Sequence, residues 1–365
     1  MKKTYKSLLS LACSVVLAGT AMATPPSNLS RVLWKYKTKA AIHASPLVAE
    51  GVVYVGGLDS TLYAVDTAGR EVFKFRTAGA IYSKPAVLNG VVFVESNDGY
   101  LYALDKAGKQ KWKSRIGEKG HLHYYDYWDF YHSSPLVHDG LVYVGSGDGH
   151  LYAFEATTGK EKWKFKTGSV VRSSPKLHNN AIFFGGFDGT FYAVDAKTGK
   201  EKWKFKTKGE IQSSAAFHGG NVYFGSRDHN VYALEAETGK FVWIYSSPES
   251  WIVSTPIINH DLVIVGSADA SKVVAIDAAS GKEKWMFKTE KNVFSSMVYS
   301  EGVIYFGEGN AYNLADEPSF VYALDATSGQ EKGRVKVGGQ VWSSPMVSNG
   351  VVFFGSNDGH IYAVK

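Results

Sequence analysis

Two groups of residues in this chain have types and spacing that could do chemistry. The first is dispersed. His43, Tyr82, His132, Arg172, Gln212, Val253, Phe294 and Trp342 each stand three residues before the end of a Ser-Ser-Pro-like step that recurs about every 40 residues. The next two positions are mostly Ser, so this column varies while its neighbours do not. Arg172 can neutralise a carboxylate or phosphate, and Trp342 can stack on a planar group. His132, Tyr82 and Arg172 together would suit lyase-type chemistry on an anionic glycan. The competing reading is that all eight fill a tapering tunnel. The second group is contiguous. His121 and His123 flank one residue, and Asp126 and Asp129 follow. Histidines two apart on an extended segment put both imidazoles on one side, a transition-metal donor set. Here the alternative is an aromatic loop with its polar groups in water.

The elements that position these residues form a repeat. From Tyr131 to Gly168 four short β-rich runs follow one another: Leu136-Val137, Leu141 to Val144, Leu151 to Phe154 and Trp163 to Lys166. Asp139-Gly140, Asp148-Gly149 and Thr158-Gly159 separate them and supply the positive φ that tight hairpins need. The step occurs eight times, ending at Pro46, Pro85, Pro135, Pro175, Ala215, Pro256, Met297 and Pro345. A period near 40 built from strands specifies an all-β, eight-bladed β-propeller of four-stranded antiparallel blades. The last unit ends at Lys365 after three strands, and Val32 to Thr38 matches the missing fourth. The N-terminal strand is therefore expected to pair with the C-terminal blade and close the ring. The varying column should ring one mouth of the channel, with its side chains only partly packed. Two length irregularities, 118–130 and 308–319, fall in connections on that same face.

Residues 1–23 differ from the rest. Lys2, Lys3 and Lys6 precede the apolar run Leu8 to Ala18 and then Ala21-Met22-Ala23, the pattern of a secretory signal peptide. The reading is a single propeller domain over 24–365, periplasmic, monomeric and without a transmembrane segment. Lipidation at Cys13, the only cysteine, is the alternative that would anchor it to the outer membrane. Loss of the leader lowers the formal charge from +6 to about +3, and the lysines lie mostly on outer strands, which argues against a nucleic-acid partner. A mature chain without thiols also excludes disulfides and thiolate catalysis.

Ala153-x-Glu155-x-x-Thr158-Gly159-Lys160-x-x-Trp163 recurs in register at Ala193 to Trp203 and Ala275 to Trp285. It resembles the tryptophan-docking repeat of the pyrroloquinoline-quinone-like propellers, over essentially the whole of Arg31 to Lys365. That family includes quinoprotein dehydrogenases and the propeller lipoprotein of the outer-membrane β-barrel assembly machinery. The dehydrogenase resemblance would make Asp126 a catalytic base and Asn310, in Gly307-Glu308-Gly309-Asn310, a calcium ligand beside pyrroloquinoline quinone. Asp126 and Asn310 are not in the successive blades that such a site uses, and the vicinal disulfide is absent. The resemblance therefore implies a non-catalytic envelope scaffold that binds a protein partner, without a cofactor, with outer-membrane protein assembly as its setting. Anionic-glycan binding or lyase action and quinone-dependent oxidation are the alternatives.

Overall fold

The computed structural model describes residues 29–117, 132–310 and 317–365. They form eight four-stranded antiparallel sheets, the blades of an eight-bladed propeller, with strands A to D running from the axis outwards. Blade 3 illustrates the unit, with strands Leu136–His138, Leu141–Gly145, His150–Glu155 and Glu161–Lys166. Its A–B turn holds Asp139 at φ 47° and Gly140 at φ 73°. Positive φ at both central residues is the mirror-image turn whose twist matches the flanking strands. Strand D exposes Lys162, Lys164 and Lys166 and half-buries Trp163 and Phe165, so the charges guard a free edge while the aromatics face inward.

The core is distributed. One apolar cluster lies at each of the eight interfaces between neighbouring blades; that between blades 2 and 3 joins Phe93, Leu101 and Ile116 to Val142, Val144 and Phe154. Seven of the eight interfaces are clasped from outside by a strand-D aromatic. Trp163 Nε1 donates to the Ala196 carbonyl of blade 4 at 3.2 Å, and Trp34, Trp112, Trp203 and Trp243 bond the next blade in the same way. The indole lies against the glycine of the receiving turn: a Cβ on Gly199 would stand 2.6 Å from the Trp163 ring.

The N-terminal strand Val32–Lys37 pairs with His360–Val364, as expected from the ends of the chain. The Ser30 and Arg31 amides donate to the Lys365 carbonyl at 3.1 and 2.9 Å. The interface between blades 7 and 8 departs from the others. Gly333 of blade 7 pairs with Ala323 where Trp163 pairs with Ala153, and blade 8 has no C–D turn to receive an indole because its C and D strands come from opposite ends of the chain. Leu29, fully buried, joins the cluster there instead.

Candidate functional site at the propeller axis

The innermost strands start at the axis, so the segment leading into each strand carries its column residue to one mouth of the ring. Seven of the eight column residues, His43, Tyr82, His132, Arg172, Gln212, Val253 and Phe294, line a single cavity of about 90 Å³. Trp342 completes the circle, its ring 4.8 Å from His43 and 6.1 Å from Phe294. Tyr82 stacks on His132 at 4.8 Å and 17°. Five of the eight column residues thus form a continuous arc of rings from Phe294 to His132; the remaining three are Arg172, Gln212 and Val253.

The expectation that these side chains are only partly packed is corrected by the structure. Trp342 is 1% exposed and His43, Tyr82, His132, Arg172, Gln212 and Val253 are buried, with Phe294 alone in the column partly exposed. The cause is the B–C turns, of the same or the preceding blade, which fold over the column. Arg227 donates to Gln212 Oε1 at 3.1 Å while its guanidinium stacks on Phe187 and Trp251 at 4.9 and 4.7 Å. Gln340 Oε1 accepts from Trp342 Nε1 and from the Asn310 amide, each at 2.9 Å. A Cβ on Gly309 would stand 2.2 Å from Trp342 Nε1. Burial holds the His43 imidazole down to a pKa of about 4, against a hydrogen bond to Asn357 that favours its charged form.

Two carboxylates complete the site, and neither is in the column. Glu95 occupies a place held by glycine in every other blade: Gly56, Gly145, Gly185, Gly225, Gly266, Gly307 and Gly355. At those glycines a Cβ would collide with Val or Ile of the next blade, at 2.1 Å from Ile81 for Gly56. The matching residue of blade 3 in sequence is Tyr131, outside the described residues. Glu95 is 2% exposed; its Oε1 lies 3.4 Å from His132 Nδ1, and its Oε2 has no hydrogen-bond partner. The same blade-to-blade comparison that isolates the column would have found it. Glu308 has a structural role. In most blades an Asp of the B–C turn accepts from a strand-C Tyr, as Asp148 does from Tyr152 at 2.6 Å. In blade 7 Glu308 takes over, accepting from Tyr322 at 3.1 Å and from the Lys291 amide at 3.0 Å. Burial raises its pKa.

His121, His123, Asp126 and Asp129, the residues 118–131, and the leader with Cys13 lie outside the described residues. Of the second length irregularity, Glu308 to Asn310 and Glu317 to Ser319 are described, and Ser319 already belongs to a strand, Ser319–Asp325. Among the described residues no group of three or more His, Cys, Asp or Glu could hold a metal ion, and no helix is long and apolar enough to cross a membrane.

Below the column lies a second layer. The Ser344 amide donates to Ser45 Oγ at 3.0 Å, and the link repeats from blade to blade: Lys84 to Ser134, Ser134 to Ser174, Ser174 to Ser214, Thr255 to Ser296, and Ser296 to Ser344. The Ser-Ser-Pro step thus encodes a girdle of amide-to-hydroxyl bonds around the axis, with Lys84 the one non-hydroxyl member.

An eight-bladed ring with tryptophan-docked blades and a serine girdle defines a pyrroloquinoline-quinone-like repeat propeller. The family profile described as "Beta-alanine-activating enzyme, beta-propeller" matches residues 132–365, and the chain belongs to this propeller family. A second profile, "Outer membrane protein assembly factor BamB", matches residues 27–124. No curated protein matches the chain. Among solved structures, BamB from Moraxella catarrhalis is similar at a TM-score of 0.74 and 16% identity, over 92% of this chain and 97% of that one. The computationally designed Ika8 protein gives 0.74 and 17%, over 92% and 99%. Quinohemoprotein alcohol dehydrogenase from Comamonas testosteroni gives 0.74 and 16%, over 94% and 77%. A designed protein, an assembly factor and a dehydrogenase are equally near, so this likeness concerns the fold alone.

Proposed function

We propose that this chain is a non-catalytic propeller of the bacterial cell envelope that binds a protein partner, with outer-membrane protein assembly as its setting. The observation that carries the reading is the outer edge of blade 5. Blades 3 and 4 end on Glu-Lys-Trp-Lys-Phe-Lys, whereas blade 5 ends on Phe241–Ser246, Phe-Val-Trp-Ile-Tyr-Ser. Phe241, Val242 and Ile244 are 48%, 37% and 43% exposed, and Met286 of blade 6 is 43% exposed. An apolar edge strand without lysine guards invites strand addition by another chain. The match of residues 27–124 to an outer-membrane assembly factor supports the setting, and a leader at 1–23 would deliver the chain there.

The alternatives draw less support from the mouth. Its cavity of about 90 Å³ is far below the roughly 300–1,000 Å³ of ordinary small-molecule sites. The described residues also fit a quinone with calcium poorly, because the buried Glu308 carboxylate is engaged by the Tyr322 hydroxyl and the Lys291 backbone amide.

A photo-crosslinking residue at Ile244 in cells should capture one envelope protein that the same residue at Lys204, its counterpart in blade 4, does not. The triple variant Phe241→Glu, Val242→Lys, Ile244→Lys restores the repeat's own pattern. It should keep the wild-type melting temperature, lose the crosslinked partner and lower the content of outer-membrane barrels. Equal crosslinking at both positions, or full activity of the triple variant in a deletion strain, would overturn the reading.

A further inference from the structure

The axial channel continues beneath the serine girdle with a volume of about 690 Å³. Its wall comes from the inward-facing residues of the innermost strands. Leu47, Leu136, Ile257, Val298 and Met346 form an apolar belt, broken by Lys176. Lys84 enters from the girdle, and its Nζ reaches Met346 Sδ of blade 8 at 3.9 Å. No carboxylate lines the channel among the described residues. Among the described residues neither ammonium has an acidic partner: that sulfur is the one hydrogen-bond acceptor of Lys84 Nζ, and Lys176 Nζ has no hydrogen-bond acceptor. Two half-buried like charges thus share a channel with no carboxylate among its lining residues, an arrangement that costs free energy unless an anion joins them. The girdle adds donors. Ser45, Ser134, Ser174, Ser214, Ser296 and Ser344 each accept an amide N–H through Oγ, which leaves the hydroxyl proton available for a second bond.

We propose that the axial channel is an anion site in which Lys84, Lys176 and the serine hydroxyls bind an oxyanion, either inorganic or the carboxylate of a larger molecule. The site is separate from the blade 5 edge and does not depend on it. Its two lysines are also the residues whose titration burial disturbs. Desolvation, with repulsion from Lys176 behind it, draws the Lys84 pKa down to about 8, and desolvation lowers that of Lys176. A bound anion would restore both.

The test is calorimetric titration of the full chain with sodium phosphate and, separately, sodium acetate at pH 7 and matched ionic strength, alongside thermal melts. Phosphate should give saturable heat and raise the melting temperature. In Lys84→Met/Lys176→Met, which continues the Met346 belt, affinity should fall by about tenfold or more, the loss expected for one or two charge-assisted bonds. Lys164→Met, on an outer strand, should leave it unchanged. Saturable acetate binding of equal strength assigns the site to a carboxylate group; binding of phosphate alone assigns it to an inorganic oxyanion. Absence of saturable heat with either anion in the wild-type chain overturns the proposal, as does an unaltered affinity in the double variant. Should the double variant fail to fold, Lys176→Gln alone carries the comparison.

Discussion

Trp342 and Trp163 show how one residue type serves two positions in a propeller. Trp163 is half-buried at the rim and repeated from blade to blade, while Trp342 occurs once, is fully buried, and has its indole nitrogen bonded inside the mouth. Truncating either to Ala should therefore destabilise the fold, Trp342→Ala by about 3–5 kcal/mol and Trp163→Ala by about 3 kcal/mol, in chemical denaturation. A neutral Trp342→Ala would mean that the turn over it collapses into the space. His43 makes a pH-dependent contribution. Its folded pKa is pulled from 6.5 to about 4 by burial, so between those values the unfolded chain binds a proton that the native chain does not. The stability this residue contributes is complete above pH 6.5 and is lost as pH falls towards 4. Between pH 7 and 4.5 the wild type should lose about 2–3 kcal/mol more than His43→Phe, a replacement the column already uses at Phe294. Equal losses in urea melts of the two proteins would refute it.

At the scale of elements, strand D is where the blades differ most in consequence. Its alternation of lysine with aromatic was legible in sequence because a period of two needs no tertiary information. So were the turns, since Asp139-Gly140 and Thr158-Gly159 demand backbone conformations few residues adopt. The cover over the mouth was not legible. It depends on turn residues such as Phe187, Arg227 and Gly309 meeting side chains of an adjacent blade, and nothing in the local pattern announces those meetings. Lys84 appeared in sequence merely as a substituted Ser, and Glu95 as a substituted Gly. Only the ring geometry shows that one faces a channel and the other a histidine.

For the whole molecule, the seam between blades 7 and 8 is the interface without a strand-D aromatic clasp. Removing residues 29–38 takes away both the outer strand of blade 8 and Leu29, the buried residue at that seam. Stability should fall by several kcal/mol, because the pairing of a whole strand and its burial are lost together. An unchanged melting temperature of the shortened chain would show that closure lies elsewhere. Seven interfaces join blades adjacent in sequence and can assemble as the chain condenses; the eighth, between blades 8 and 1, forms only when the pairing of Val32 with Val364 completes blade 8. A contact across nearly the full length of the chain carries the largest loop-closure entropy of any in the molecule. Ring closure should accordingly be the last and slowest step in folding, and the first to reverse. Amide exchange should be fastest along Val32–Lys37 and its partner strand, so that the native ring breathes at this joint while the other seven interfaces stay shut.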